Sequence, residues 1–468
     1  MEQGEGDRDT RVPGAALVDG DTGRPHEGRG RGRSDQVSTG TPPTCPTSSP
    51  SGTSPTPRTP RTRARAHVPA QLRRSARLLR RGVQNVTAAA LGPYQSAVIR
   101  IGFAGTWLLF LLREIPHRQE MYGPEGPWNW DMARRIVEDN GAFTALMWTD
   151  STLWFEFVYV AAIAASALLV IGWRTRTMSV LFMIGVLSLQ NRSVFLGDGG
   201  DNVIHLMAMY LVLTRCGQVW SLDARRVRAA GGTVAAVVRD RVGPVVWGVL
   251  GAALAVVTFT GVVRWGWLLV FWALLLAHAL WWGACRYADG EPRLLLDVLT
   301  NLVHNAVLAV VMVEVCFVYA TAGWYKVQGS RWQDGTAVYY PLHLDYFTPW
   351  PDLSSLLASS GTMIMLVTYG TVMVQVAFPF TLFNRRVKNV LLVLMILEHA
   401  SIAVLLGLPF FSMAMIAADA VFLPTVFLLW LGGRAGRLRD RVRGRVRPSP
   451  TAEVQRPADG QRPRTLVG

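Results

Sequence analysis

Several stretches of this chain are apolar over about twenty residues or more, the length at which a helix crosses the hydrocarbon of a bilayer. That limits the fold severely. In hydrocarbon every backbone N–H and C=O must be satisfied inside the protein, and for apolar runs of this length the solution is an α-helix. Half of the 468 residues are apolar and the mean hydropathy is +0.24, which agrees. The expected fold class is all-α, a polytopic integral membrane helical bundle of about ten transmembrane helices with a disordered N-terminal tail.

Residues 1–68 are rich in Pro, Gly, Ser, Thr and Arg, with too little apolar surface to offset the entropy of ordering, so they are expected to be disordered. Residues 69–95 contain a short basic amphipathic stretch, 71–81, suited to an anionic lipid surface; a solvated helix is the alternative. Spans are expected at about 96–112, 153–172, 178–196 and 202–214. The run 245–284 is too long for one crossing. Arg264-Trp265-Gly266 divides it into a helical hairpin, and 242–292 reads as an insertion. Further spans fall at about 299–325, 356–383, 390–408 and 410–430, closing a transmembrane domain of 96–431. Residues 432–468 read as a disordered basic C-terminal tail.

The formal charge is +15 and the pI near 10.4. The arginines collect in the N-terminal tail, in 174–176, 215–241 and 385–388, and after 432. Such residues gather on the cytoplasmic side of membrane proteins, so the charge is read as topology and not as a nucleic-acid surface. This places both termini in the cytoplasm of a multi-pass cell-membrane protein. The loop 113–150, the turn 198–201 and the stretch 326–351 then face outward. The expected partner is the lipid bilayer, with no nucleic acid. Cys45, Cys216, Cys285 and Cys316 form no CxxC pair, so neither a disulfide scaffold nor a metal site is expected. The fingerprints of soluble nucleotide-binding, metalloprotease and α/β-hydrolase enzymes are missing from the sequence.

The stretch 314–351 stands out. Glu314 lies inside an apolar span, where a carboxylate marks either function or an internal ion pair. The intramembrane cations available to it are Arg192 and Arg100. Lys326 ends the same span, and the chain has only one other lysine, Lys388. Lys can give up its proton and act as a base, whereas Arg effectively cannot. Alternatively, Lys326 snorkels to the headgroups as an anchor. Trp324, Tyr325 and Trp332 are expected to cap a pocket around it; the alternative is that Trp324, Trp332 and Trp350 with Tyr339, Tyr340 and Tyr346 form an interfacial aromatic belt. His304 lies on the same helix as Glu314 and Lys326, and His205 and His399 each sit in apolar surroundings.

The pattern Ala322-Gly323-Trp324-Tyr325-Lys326, then Trp332-Gln333-Asp334-Gly335, resembles the core of the HTTM domain. That domain is shared by vitamin K-dependent gamma-carboxylase and bacterial membrane proteins of the sporulation-delaying-toxin maturation type. Arg100 within Ala97-Val98-Ile99-Arg100-Ile101, the turn Gly172-Trp173-Arg174-Thr175-Arg176, Asn191-Arg192-Ser193, Ser221-Leu222-Asp223, and His399 with 411–417 are similar in the same order. The likeness covers about 97–424 apart from 242–292. Arg192 departs from the His of the carboxylase, and Glu314 from a position usually Gln. The resemblance implies that Lys326 is the catalytic base, with Glu314, Arg192 and His399 as further catalytic candidates. It implies Asn191, Tyr319, Trp332, Asp334 and Gly335 as candidates for substrate binding. The implied cofactor is reduced vitamin K or menaquinone, and the implied partners are a quinone and a small secreted peptide. The expected function is a gamma-carboxylase-like or quinone-dependent oxidoreductase-like enzyme at the outer face. The alternative is a non-catalytic membrane factor for maturation or export of a secreted peptide.

Overall fold

The computed structural model describes residues 70–288 and 290–446, which form helices, turns and loops with no strand among them. The expected tail 1–68 lies outside the described residues. The principal helices are α1 (Ala70–Ala88), α2 (Pro93–Arg113), α3 (Thr152–Ile171), α4 (Thr175–Arg192), α5 (Gly199–Leu213) and α6 (Val242–Thr260). They continue with α7 (Trp265–Tyr287), α8 (Glu291–Gln328), α9 (Gly361–Ala377), α10 (Arg385–Leu405), α11 (Pro409–Asp419) and α12 (Thr425–Val446).

Among the described residues, seven helices are long and apolar enough to cross a membrane: α2, α3, α6, α7, α8, α9 and α10. Pro409–Phe422 and the start of α12 would make an eighth as a pair, but they are bent by 118° at the break. Pro424 explains the bend. It lacks an N–H, and it drives the preceding residue out of the helical region; Leu423 is accordingly extended. The single straight span expected over 410–430 is therefore two helices. Nor does 432 begin a disordered tail, because α12 continues to Val446; 447–468 lie outside the described residues.

α5, with 15 residues, falls outside this set by length, and α4 by its polar residues, for a physical reason. Protein and not lipid surrounds α4, 11 of whose 18 residues are buried, including Thr175, Ser179, Ser188 and Arg192. α2 lies against α3, α5 and α11, and α4 against α3 and α5. Small residues permit these close approaches: a side chain at Gly102 would collide with Ala417, and one at Gly185 with Ala162. The hairpin is the opposite case. α6 buries none of its residues, and α7 only Phe271 and Cys285.

The end of α3 is locked by residues far apart in sequence. Gly172, at φ 72°, terminates the helix with its N–H on Leu169 O, while the Trp173 N–H bonds Leu168 O. Arg100, fully buried, donates to the last carbonyls of α3, Leu169 and Val170, and also to Cys216 and Trp220. The Asp223 carboxylate accepts from the N–H groups of Arg174 and Thr175 at 3.0 and 2.7 Å, capping α4. Asp223 N–H returns to Gly172 O at 3.1 Å.

α8 has 38 residues, about 57 Å at 1.5 Å per residue, far more than the hydrocarbon thickness requires. Its first turns hold α1 in place. Asn305 donates to Val86 O and Ala89 O and accepts from Leu91 N–H, while Asn301 donates to Thr87 O. These bonds satisfy carbonyls that the end of α1 would leave unpaired. His304 is structural here. Its Nδ1 accepts from Arg215 N–H at 2.9 Å, so Nε2 carries the proton given to Leu91 O, also at 2.9 Å. The amphipathic stretch at 71–81 thus belongs to a helix tied to the bundle at its C-terminal end.

Candidate functional site

At the far end of α8 a cavity of about 730 Å³ opens between α8, α9, α10 and α11, beneath the segment 329–344. Its walls are mainly apolar, with Val318, Ile364, Val367, Leu394, Ile402 and Met415 among them. Two polar chains interrupt this surface. Tyr319 and Lys326 are seven residues apart on α8, so they share a face about 10 Å apart along the axis. Ala322 between them leaves room, and Gly323 allows α9 to approach: a Cβ there would stand 2.6 Å from Val376 Cγ2.

The first chain starts at Lys326. Its Nζ donates to Gln375 Oε1 at 2.9 Å, and Gln375 Nε2 donates to Glu398 Oε1 at 2.5 Å. An amide therefore joins the Lys326 amine to the Glu398 carboxyl group, each keeping an acceptor or donor inside the protein. The Trp332 ring lies 5.2 Å from Nζ, within cation–π range. Of the three aromatic residues expected to cap Lys326, only Trp332 does so. Trp324 and Tyr325 are 63% and 74% exposed and point away. The other lysine, Lys388, also reaches a single acceptor, Phe422 O, at 2.5 Å. Lysine scarcity thus marks two point-donor sites and does not by itself single out Lys326.

The second chain lies deeper. Tyr319 O–H donates to Asp419 Oδ1 at 2.9 Å and lies 3.1 Å from His399 Nε2. All three residues are almost fully buried. Asp419 Oδ2 and His399 Nδ1 have no partner among the described residues. With Asp419 ionised, the Tyr319 phenol donates to it, and the phenol oxygen accepts from His399 Nε2–H. With a proton on Asp419, the phenol donates instead to His399, and Nδ1 carries the hydrogen. The same three heavy-atom positions serve both arrangements, which differ by one proton, so the chain can take up or release a proton at His399 or Asp419 without rebuilding.

Of the residues singled out in the sequence, Lys326, Tyr319, Trp332 and His399 come together at this cavity. The others do not line it. Arg192 donates to Gly123 O and Trp128 O at 2.9 and 2.8 Å, and Asn191 to Phe143 O at 2.9 Å. Both hold down the loop between α2 and α3. Arg100 is likewise occupied by main-chain carbonyls, so neither cation pairs with Glu314. Glu314 lies beside Tyr210 of α5, and its Oε2 has no partner among the described residues. Asp334 accepts from Thr336 N–H at 3.0 Å; the Thr336 hydroxyl and Arg331 help hold its carboxyl below the usual carboxylate range. Gly335, at φ 77°, sits against Met365 and Tyr369, where a Cβ would come within 3.2–3.3 Å of their side chains. Asp334 and Gly335 thus shape the turn that places Trp332 over Lys326. Gln375, Glu398 and Asp419 were missed by sequence reasoning, although two of them are carboxylates inside apolar helices, the same signal that drew attention to Glu314.

The chain matches no protein-family model, no curated protein and no solved structure.

Proposed function

We propose that the cavity binds a membrane-soluble hydroquinone of the vitamin K or menaquinone class and that Lys326 is the base that deprotonates it. The observation that carries this reading is the Lys326–Gln375–Glu398 chain at the head of a large apolar cavity beside Trp332. A polyprenyl or alkyl tail suits the apolar walls, and an aromatic ring suits the space by Trp332. The proton step is balanced. The hydroquinone O–H bond breaks, its proton joins the neutral amine, and a hydroquinonate is left beside an ammonium. Glu398, through Gln375, compensates the positive charge so formed. The Asp419–Tyr319–His399 chain supplies a second proton acceptor or donor to the same ligand.

The reading draws on the HTTM resemblance as well. Most segments carrying that likeness meet in two places, Arg100, Gly172–Arg176 and Ser221–Asp223 around the end of α3, and Lys326, Trp332 and His399 at the cavity, while Asn191–Ser193 lie apart, against the loop between α2 and α3. The same reading takes α4 and α5 as crossings sheathed by their neighbours and the bent Pro409–α12 pair as one more. That gives ten crossings, with the arginine-rich end and both termini in the cytoplasm and Lys326 at the outer face. The test is to purify the full chain in detergent, extract it and quantify quinones by mass spectrometry. About one menaquinone-class molecule per chain is expected, and loss of it in Val367→Trp, which fills the cavity. Quinone no more abundant than in an unrelated membrane protein purified from the same cells would refute the reading.

A further inference from the structure

The opposite end of the bundle contains a second cavity, of about 630 Å³, at the foot of the hairpin. Arg174, Arg176, Arg215, Arg226 and Arg228 line it, against the two carboxylates Asp223 and Asp240, a surplus of three positive charges. Both carboxylates are engaged. Asp240 receives both terminal nitrogens of Arg174 at 2.9 and 2.6 Å and Arg226 at 3.3 Å, and Asp223 caps α4. Arg215 reaches Asn301 at 2.5 Å and Asp297 at 3.6 Å. Arg176 differs from these. Among the described residues it has no hydrogen-bond acceptor and no acid partner, and its guanidinium sits 3.7 Å from the centre of the Trp281 ring. A stacked guanidinium keeps its in-plane donors available.

This cavity continues into another. A narrow apolar cleft of about 220 Å³ runs between α4 and the hairpin, and Arg174, Arg176, Thr177, Gly243, Trp247 and His278 line both spaces. From the arginines the cleft passes Leu181, Leu250, Leu254 and Leu274 and ends near Phe271 and Val263, at the other end of the hairpin. We infer that the two spaces together hold one anionic phospholipid, its phosphodiester on Arg176 with Arg226 and Arg228 nearby, and an acyl chain in the cleft. Phosphate suits the guanidinium fork, which bonds it through two parallel N–H groups. Basic pockets between membrane helices are where anionic headgroups bind. An acyl chain suits a slot lined by leucines. Such a lipid also accounts for a hairpin that fully buries no residue of α6 and only Phe271 and Cys285 of α7.

The test uses the full chain in detergent, with thermal unfolding followed by tryptophan fluorescence during separate titrations with phosphatidylglycerol, phosphatidylcholine and inorganic phosphate. Phosphatidylglycerol is expected to raise the midpoint at a half-saturating concentration at least tenfold below that of phosphatidylcholine. Inorganic phosphate is expected to leave it unchanged. Arg176→Gln is expected to weaken the phosphatidylglycerol effect about tenfold, as loss of a charge-assisted hydrogen bond implies. Leu250→Trp, which blocks the cleft and leaves every arginine in place, is expected to weaken it as well. Equal responses to the two lipids, or an unchanged response in Arg176→Gln, would overturn the inference. A shift reproduced by inorganic phosphate would mean a free-anion site and overturn the lipid assignment. If the variants do not fold, native mass spectrometry of the wild type decides: a retained anionic phospholipid supports the inference, and exclusively zwitterionic adducts overturn it.

Discussion

Replacing Gln375 by Leu removes the amide that joins Lys326 to Glu398. Gln375 is 5% exposed, accepts from Lys326 Nζ at 2.9 Å and donates to Glu398 at 2.5 Å. Leu is similar in volume, so packing is largely kept and the loss is two hydrogen bonds to ionisable groups. Each such bond is worth about 1.5–3 kcal/mol. Lys326 and Glu398 are only partly buried, so the lower figure applies, or about 3 kcal/mol for the pair. At roughly 2 °C per kcal/mol for a large domain, the unfolding midpoint falls by about 6 °C. Tryptophan fluorescence in detergent reads this directly, since the chain has 17 Trp. The triple variant Lys326→Met/Gln375→Leu/Glu398→Leu leaves no group of the chain unpartnered and is expected to recover most of the loss. A Gln375→Leu midpoint within about 1 °C of wild type, or a triple variant no more stable than the single one, would refute the bridge.

Three further outcomes follow from the geometry. Gly172→Ala places a Cβ against Ser221 and Arg100 at a φ of 72° and is expected to destabilise by about 2 kcal/mol or more; an unchanged denaturation midpoint would contradict the lock at the end of α3. Burial raises the Asp240 carboxyl, but hydrogen bonds from Arg174 and Gly243 and the Arg226 charge outweigh it and hold it below its usual value. Its contribution to stability is therefore present above about pH 4 and lost as pH falls through its folded value, so denaturation midpoints of Asp240→Asn are expected to vary less with pH across that window than those of wild type. Because Arg192 serves the Gly123 and Trp128 carbonyls, the destabilisations of Arg192→Gln and Glu314→Gln are expected to add within about 0.5 kcal/mol, and a larger coupling in a double-mutant cycle would show that the two residues meet.

Apolar run length was enough to locate the long helices, and Arg264-Trp265-Gly266 to divide the hairpin, because both depend on local sequence. Pro424 was visible too, but the 118° turn it introduces depends on where α12 finds support. Partners of buried charges were not legible. Arg100, Arg192 and Glu314 all read as members of internal ion pairs, yet the two arginines bind carbonyls at helix ends and in a loop, and which ends lie within reach is set by helix packing. The site was half legible. Lys326, Trp332 and His399 stood out by residue type and Tyr319 only through the HTTM likeness, whereas Gln375 gains its meaning only when α9 rotates it between α8 and α10. Glu398 and Asp419 carried the signal of a carboxylate in an apolar helix, but attention to the 314–351 stretch passed over them.

The central role assigned to Lys326 is to accept a proton from a hydroquinone. An anionic hydroquinonate absorbs at longer ultraviolet wavelengths than the neutral hydroquinone. Anaerobic titration of the purified full chain with a menaquinol, followed by ultraviolet difference spectroscopy near neutral pH, is expected to show the hydroquinonate band in wild type. The band is expected to disappear in Lys326→Met and in Lys326→Arg, since Arg supplies the charge and the reach but accepts no proton. A bound hydroquinone with a neutral spectrum in wild type would contradict the assignment. So would a full hydroquinonate band in Lys326→Arg, because a permanent cation would then suffice.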